Sequence, residues 1–194
     1  MNNIVYKLGQ DNPEVTAYEI TKFKPPRAGE KMHFEVNVTA ENLEKQKKRA
    51  SVKPNLPTWG NFIMHSDEGT ALRGDDEAPC PLNYFSAGIA FCLLSHVAEY
   101  SESNGIKLDS AKLEMRQQFH CTVTDTKVVA EEGLGGGTSG IEVHLLLESE
   151  ESDEVLQKLY RECIEACLAL QSIVQAVPLE SKLHVKGNVL DVYK

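Results

Sequence analysis

The stretch APCPLNYFSAGIAFCLLSHVAEYSESNGIKL, residues 78–108, decides the expected fold. Pro81 suits a first helical turn, where its missing N–H costs nothing, and Asn104 followed by Gly105 is a suitable helix end. Between them, apolar residues recur at spacings of three and four, the pattern of a helix with one face toward a core. That face is expected to carry Leu82, Phe85, Ile89, Cys92, Leu93, His96 and Tyr100. The pattern therefore predicts one long helix with a cysteine on its buried face.

A second long helix is predicted after Glu148, with Ser149 or Ser152 as its N-cap. The acidic residues of its first turn suit the positive end of the helix dipole. Its apolar stripe comprises Val155, Leu156, Leu159, Cys163, Ala166, Cys167, Leu170 and Val174. The spacing of three and four residues therefore places Cys163 and Cys167 on the buried face of the second helix, as it places Cys92 on the buried face of the first.

Alternation of apolar and polar residues, the period of a half-buried strand, surrounds these helices. It predicts strands within 32–38, 59–68, 113–124, 141–148 and 179–185. The basic run at 44–50 is interpreted as a solvated turn or short helix, and the residues after 185 as a tail. The glycine-rich segment 133–140 is expected to be a hairpin connection, because it lacks the Gly-Lys-Ser/Thr ending of a phosphate loop.

The order of these elements predicts an α+β fold. The chain of 194 residues is long enough for one domain with a substantial core. We expect a single domain over 31–194, preceded by an N-terminal arm over 1–30 that carries a turn at Pro25–Gly29. No internal repeat is visible.

Charge and hydropathy argue against two classes of function, nucleic acid binding and membrane binding. The formal net charge is −9, so the field of the molecule repels nucleic acid backbones and anionic lipid surfaces. No apolar run is expected to span a bilayer, and the N-terminus lacks the pattern of a secretory signal. We therefore expect a cytoplasmic protein with neither a nucleic acid nor a membrane partner.

The five cysteines are the candidate reactive groups. If the two helices pack together, Cys92 approaches Cys163 or Cys167, and a disulfide needs Cα atoms within about 7 Å. Small core residues are the alternative reading of the same spacing. A reactive Cys92 also needs a cation to favour its thiolate. Candidates for that cation are Arg49, Arg73 and His96.

A metal site is a competing interpretation. Cys92 and His96 are spaced i and i+4, as are Cys163 and Cys167. Two facing helices would thus offer three thiolates and an imidazole, a ligand set that tetrahedral zinc accepts. The dithiol is the preferred interpretation, and no metal is expected.

Three segments resemble the OsmC/Ohr family, named for osmotically inducible protein C and organic hydroperoxide resistance protein. RGDDEAPCP (73–81) is similar to the family's loop before a proline-started helix, and SAGIAFC (86–92) to the small-residue helix that ends in its first cysteine. CLALQSIVQAVPLE (167–180) is similar to the segment that its second cysteine opens. The resemblance thus selects Cys92 and Cys167 as the pair.

This resemblance implies an intertwined homodimer with antiparallel sheets wrapped around two long central helices. It also implies cysteine-based reduction of organic hydroperoxides, in which Cys92 attacks and Cys167 resolves the sulfenic acid as a disulfide. A dithiol reductant of lipoyl or thioredoxin type would restore the thiols. No cofactor is implied.

Leu82 stands where family members with peroxidase chemistry carry a glutamate that orients an arginine. In this respect the chain resembles the broader OsmC-like branch. The alternative function is therefore a catalytically weak dimer that binds an apolar small molecule at the helix interface.

Overall fold

The computed structural model describes residues 4–8, 15–121 and 135–193, and for 191–193 it describes the backbone only. The chain divides into two compact units, an N-terminal unit of residues 1–85 and a C-terminal unit of residues 86–194. The boundary falls in the first turns of the long helix. Helices and antiparallel sheets together give the α+β class that the sequence predicts.

The N-terminal unit contains a four-stranded antiparallel sheet in the order β1–β4–β3–β2. A turn at residues 28–30 precedes most of it, with Gly29 at φ 83°, as expected from the Pro-Pro-Arg-Ala-Gly sequence. The strands are β1 Val5–Lys7, β2 Val36–Asn42, β3 Lys48–Pro54 and β4 Phe62–Ser66.

Two strand predictions in this unit need correction. The strand expected within 32–38 begins only at Val36, and its faces are inverted: Asn37 is buried while Val36 and Val38 are exposed. The buried Asn37 amide donates to the Lys53 carbonyl at 3.4 Å, which explains how a polar residue is accommodated. The basic run forms the expected turn only at 44–47, because Lys48–Pro54 belongs to strand β3, which lies between β4 and β2. The strand expected within 59–68 is confirmed as β4.

An acidic loop connects β4 to the long helix and is organised by Asp67. Its carboxylate accepts backbone N–H groups of Glu68 at 2.8 Å, Asp75 at 3.0 Å and Glu77 at 3.3 Å. Burial opposes ionisation of Asp67, but these three bonds hold its pKa below the ordinary value. The loop also contains a short 3-10 helix, Thr70–Leu72.

The C-terminal unit combines helices with two antiparallel hairpins. The long helix α1, Pro81–Asn104, is followed by Gly105, whose φ of 66° is the left-handed conformation that glycine adopts readily. The elements are α1 Pro81–Asn104, β5 Ser110–Cys121, β6 Gly136–Glu148, α2 Asp153–Ala166, α3 Leu168–Val174, β7 Ser181–Val185 and β8 Asn188–Tyr193. The bounds of α1 match the sequence prediction, and the last strand replaces the expected tail.

The core of this unit lies where the helices meet the β5–β6 hairpin. Its fully buried members are Ile89, Leu93, Val97, Leu159, Cys163, Cys167 and Leu170. The hairpin contributes the alternating residues expected of it, Leu113, Met115, Ile141, Val143, Leu145 and Leu147. The stripe predicted for α1 is wrong at its start, because Leu82 and Phe85 are exposed.

The second helix is interrupted at Cys167, contrary to the continuous helix expected from the sequence. Cys167 has φ −66° and ψ 101°, an extended conformation that ends α2 and begins α3. At its start, Ser152 is the N-cap, with its hydroxyl accepting the Val155 N–H at 3.5 Å. Only α1 is therefore a long uninterrupted helix within the described residues.

Helix α1 corrects one further expectation. It is long and apolar enough to cross a bilayer by length and composition, with a mean hydropathy of 1.2. Only 17% of that stretch is buried, and a single helix of this kind is weak evidence for a membrane span. No membrane protein is indicated.

Candidate thiol site

Cys92 on α1 and Cys167 at the α2–α3 break lie in the same core. Cys167 is fully buried, and Cys92 is half-buried and packs against the buried cluster. The two thiols are close enough for the hydrogen bonding and charge of Cys92 to alter the ionisation of Cys167. Of the partners that helix spacing left open for Cys92, the structure thus brings Cys167 to it.

The surroundings of Cys167 keep its thiol protonated. Burial raises the pKa of Cys167, and interaction with Cys92 raises it further, while the backbone N–H groups of Leu170 and Ala169 act in the opposite direction. A protonated Cys167 thiol is a weak hydrogen-bond donor.

Cys163 is the third thiol of this core. It is as buried as Cys167, and its backbone carbonyl accepts the Cys167 N–H at 3.0 Å. Burial raises the pKa of Cys163, and the charge of Cys167 adds to the effect. Burial therefore favours the protonated thiol at Cys163 as it does at Cys167.

The break in the helix is compensated by a side chain. A continuous helix would pair the Ile164 carbonyl with the backbone N–H four residues later. Instead, the Gln171 side-chain amide donates to the Ile164 carbonyl at 2.9 Å. The Gln171 backbone N–H also closes the first turn of α3 on the Cys167 carbonyl at 2.8 Å. Gln171 thus holds the chain on both sides of Cys167.

His96 lies one turn after Cys92 and lines a small cavity of about 180 Å³ between α1 and α2. Cys163, Tyr100 and Glu162 line the same cavity. The structure therefore places the imidazole beside Cys163. Within the described residues no group of three or more His, Cys, Asp or Glu side chains could hold a metal ion, so the zinc interpretation finds no support.

The two candidate arginines lie in the N-terminal unit, and they differ in whether a carboxylate pairs with them. Arg49 pairs with Glu41, its cross-strand partner in the β2–β3 register. Arg73 follows the 3-10 helix in a left-handed conformation, φ 66°, and its exposed side chain has no ion-pair partner among the described residues. Of the two, Arg73 has the uncommitted charge.

The family of the chain follows from its sequence over a long segment. A family model described as OsmC-like protein matches residues 74–182, more than half of the chain, including both Cys92 and Cys167. The chain belongs to the OsmC-like family. This confirms the resemblance seen in the sequence.

Solved OsmC-like structures share the fold. An OsmC-like hydroperoxide resistance protein from Jannaschia sp. CCS1 is 21% identical with a TM-score of 0.52, over 81% of this chain and 98% of its own. An OsmC-like protein from Mycoplasma pneumoniae is 14% identical with a TM-score of 0.53, over 72% and 87%. The organic hydroperoxide resistance protein OsmC from Legionella pneumophila is 17% identical with a TM-score of 0.50, over 74% and 91%. No curated protein matches the chain significantly.

Two features of this OsmC-like chain were missed from the sequence. Lys47 of the basic run pairs with Glu77 at 2.7 Å and with Asp75 at 3.3 Å, and these carboxylates raise its pKa. Gln171 was not singled out either, because a glutamine in a helical segment carries no distinguishing signal. Cys80 and Cys121 do not correspond to either family cysteine. Cys80 lies directly before α1, and Cys121 lies at the exposed end of β5.

Proposed function

We propose that this OsmC-like protein is a thiol-dependent peroxidase that reduces organic hydroperoxides through Cys92 and Cys167. The observation that carries the proposal is the close approach of a half-buried Cys92 to a buried, protonated Cys167. An apolar core around the pair favours apolar hydroperoxides over hydrogen peroxide, because polar solutes lose hydration there.

The reaction has two oxidative steps, followed by reduction of the disulfide. The Cys92 thiolate attacks the terminal peroxide oxygen, the O–O bond breaks, and the alkoxide takes a proton and leaves as an alcohol. Cys92 is then a sulfenic acid, and Cys167 attacks its sulfur to form a disulfide and release water. A dithiol reductant, of lipoyl or thioredoxin type, restores both thiols by exchange.

A cation is needed to favour the Cys92 thiolate. We assign this role to Arg73 ahead of Arg49, because Glu41 already neutralises Arg49. His96, on the same helix as Cys92, is the second choice. An Arg73→Gln substitution that leaves the rate of Cys92 oxidation unchanged would remove Arg73 from the mechanism.

Thiol counting tests the redox pair. The reduced protein is incubated with cumene hydroperoxide, and free thiols are titrated under denaturing conditions. We expect the loss of two thiols, no loss in Cys92→Ser, and an unchanged loss in the matched control Cys121→Ser. In Cys167→Ser, a dimedone adduct should form on Cys92. Retention of all thiols, or an unchanged loss in Cys92→Ser, contradicts the proposal.

The same proposal includes a homodimer of 31–194 domains in the cytoplasm, where thiols stay reduced. Several apolar surfaces support a second copy: Phe91 on α1 is 68% exposed, and Val36 and Val38 on β2 are also exposed. A two-stranded hairpin such as β7–β8, with Leu183 and Leu190 exposed, is marginal in water without a partner surface. Light scattering should give twice the chain mass, and Phe91→Glu should shift it toward the monomer.

A second candidate function is binding of an apolar small molecule without redox chemistry. It is favoured by Leu82, which is 48% exposed at the start of α1, where peroxidases of the family carry a carboxylate. Native mass spectrometry of the purified protein distinguishes the two candidates. A retained hydrophobic molecule with all thiols reduced after peroxide treatment supports binding alone.

A further inference from the structure

A cavity of about 580 Å³ lies within the N-terminal unit, and none of its lining residues is a cysteine. This volume falls in the range of small-molecule sites, about 300 to 1,000 Å³. The lining comes from β1, the turn between β2 and β3, β4 and the acidic loop. It comprises Ile4, Tyr6, Leu43, Lys47, Lys48, His65, Ser66, Asp67, Glu77 and Ala78.

Two stacked aromatic side chains line part of the cavity. The rings of Tyr6 and His65 stack with centroids 6.1 Å apart and planes inclined by 29°. Ile4 and Leu43 also line the cavity, and both side chains are exposed. Stacked rings flanked by aliphatic groups present the surface that an aromatic ring of a ligand packs against.

Ser66 supplies an unused polar group. Its hydroxyl oxygen is buried and has no hydrogen-bond partner among the described residues, yet the residue lines the cavity. A buried polar atom without a partner is uncommon in folded proteins and carries a desolvation cost. A ligand atom in the cavity would satisfy this hydroxyl.

Lys48 supplies the second polar group. Its ammonium donates to the Gln46 carbonyl at 2.7 Å and lies 3.5 Å from Glu68, which leaves one of its three N–H groups available. The other charged groups are committed: Lys47 pairs with Glu77, and Asp67 accepts three backbone N–H groups. Lys48 and Ser66 therefore each have an unused N–H or O–H donor in the cavity.

We propose that this cavity binds a small aromatic carboxylate. The carboxylate oxygens accept hydrogen bonds from Lys48 and Ser66, and the ring packs on Tyr6 and His65. Because the hydrogen bond to the Lys48 ammonium is charge-assisted, a carboxylate group should bind more strongly than a neutral amide group. The site uses residues of the N-terminal unit alone and does not depend on the proposed thiol chemistry.

Binding of 3-phenylpropionate to the full-length reduced protein tests this site, with neutral 3-phenylpropionamide as the matched ligand. Amide chemical shifts of a ¹⁵N-labelled sample are followed during titration. We expect saturable shifts at Lys48, His65 and Ser66, and an affinity for the acid about tenfold above that for the amide. Equal affinities, or shifts confined to α1 and α2, overturn the proposal.

Variants on the same sheet sharpen the test. Ser66→Ala should weaken binding of the acid about fivefold, and Lys48→Met about tenfold or more. Lys53→Met, on the same strand but outside the cavity, should bind as the unmodified protein does. Unchanged affinity in both cavity variants overturns the proposal. If a variant fails to fold, the affinities of the unmodified protein for the acid and for the amide still test the proposal.

Discussion

The side-chain amide of Gln171 donates to the carbonyl of Ile164 across the break between α2 and α3. This bond replaces the backbone bond that a continuous helix would make. It allows the chain to leave helical geometry at Cys167 without leaving the Ile164 carbonyl unpaired. The position of the buried thiol and the side chain of a neighbouring turn are therefore linked.

Removing this amide should destabilise the fold. We expect Gln171→Ala to lower the free energy of unfolding by about 1 kcal/mol, the usual net value of such a hydrogen bond. Gln157→Ala, the same change at an exposed site of α2, is the control and should stay within about 0.5 kcal/mol. Urea denaturation followed by circular dichroism measures both. Equal effects of the two substitutions would mean that the Ile164 carbonyl finds another partner.

Gly74 is required by the close approach of two backbone segments in the acidic loop. A Cβ atom at Gly74 would lie 1.7 Å from the Glu68 carbonyl oxygen, so the loop cannot keep its path with any other residue. Gly74→Ala should cost about 3 kcal/mol or more. Gly69→Ala is the matched control, because φ is −64° there and no atom lies within 4 Å of its Cβ. Thermal unfolding of both variants provides the comparison.

Asp67 should contribute stability that depends on pH. Because its pKa is lowered in the folded state, this contribution is complete above the unfolded pKa of about 3.9 and is lost as pH falls through the folded pKa. Asp67→Asn replaces an accepting oxygen by a donor and should destabilise the N-terminal unit at pH 7. The difference from the unmodified protein should shrink below pH 4.

Fluorescence of Trp59, the single tryptophan, reports unfolding of that unit. Asp76→Asn is the control for Asp67→Asn, because Asp76 has φ 56°, a conformation that asparagine also adopts. A constant difference between Asp67→Asn and the unmodified protein from pH 7 to pH 3 would argue that ionisation of Asp67 does not matter.

Features with local signals were predictable from the sequence. Pro81 and Gly105 act through their own backbone conformations, so the ends of α1 were correct. Apolar and polar residues alternate along β5 and β6. This pattern predicted which side chains are buried, because one face of the hairpin packs on the helices. Helix faces left both Cys163 and Cys167 as partners of Cys92, and only the family resemblance selected Cys167, so the pair stays a prediction.

Features set by distant partners were not predictable. The apolar stripe of the second helix continues through Cys167, and no glycine or proline marks the break. The basic run reads as solvated because the carboxylates that neutralise Lys47 lie far along the chain. Which face of β2 is buried depends on what covers the sheet, so residue types alone placed Asn37 on the wrong side.

The buried thiols should be alkylated only under alkaline conditions. Alkylation requires the thiolate, and the pKa values of Cys163 and Cys167 are raised by burial, so their labelling should begin at a higher pH than the ordinary thiol value of about 8.5. Cys121 is exposed and serves as the internal control. Iodoacetamide labelling of the native protein between pH 7 and pH 10, read by peptide mass spectrometry, follows each cysteine separately. Labelling of Cys167 at pH 8 as fast as that of Cys121 would contradict a buried, protonated resolving thiol.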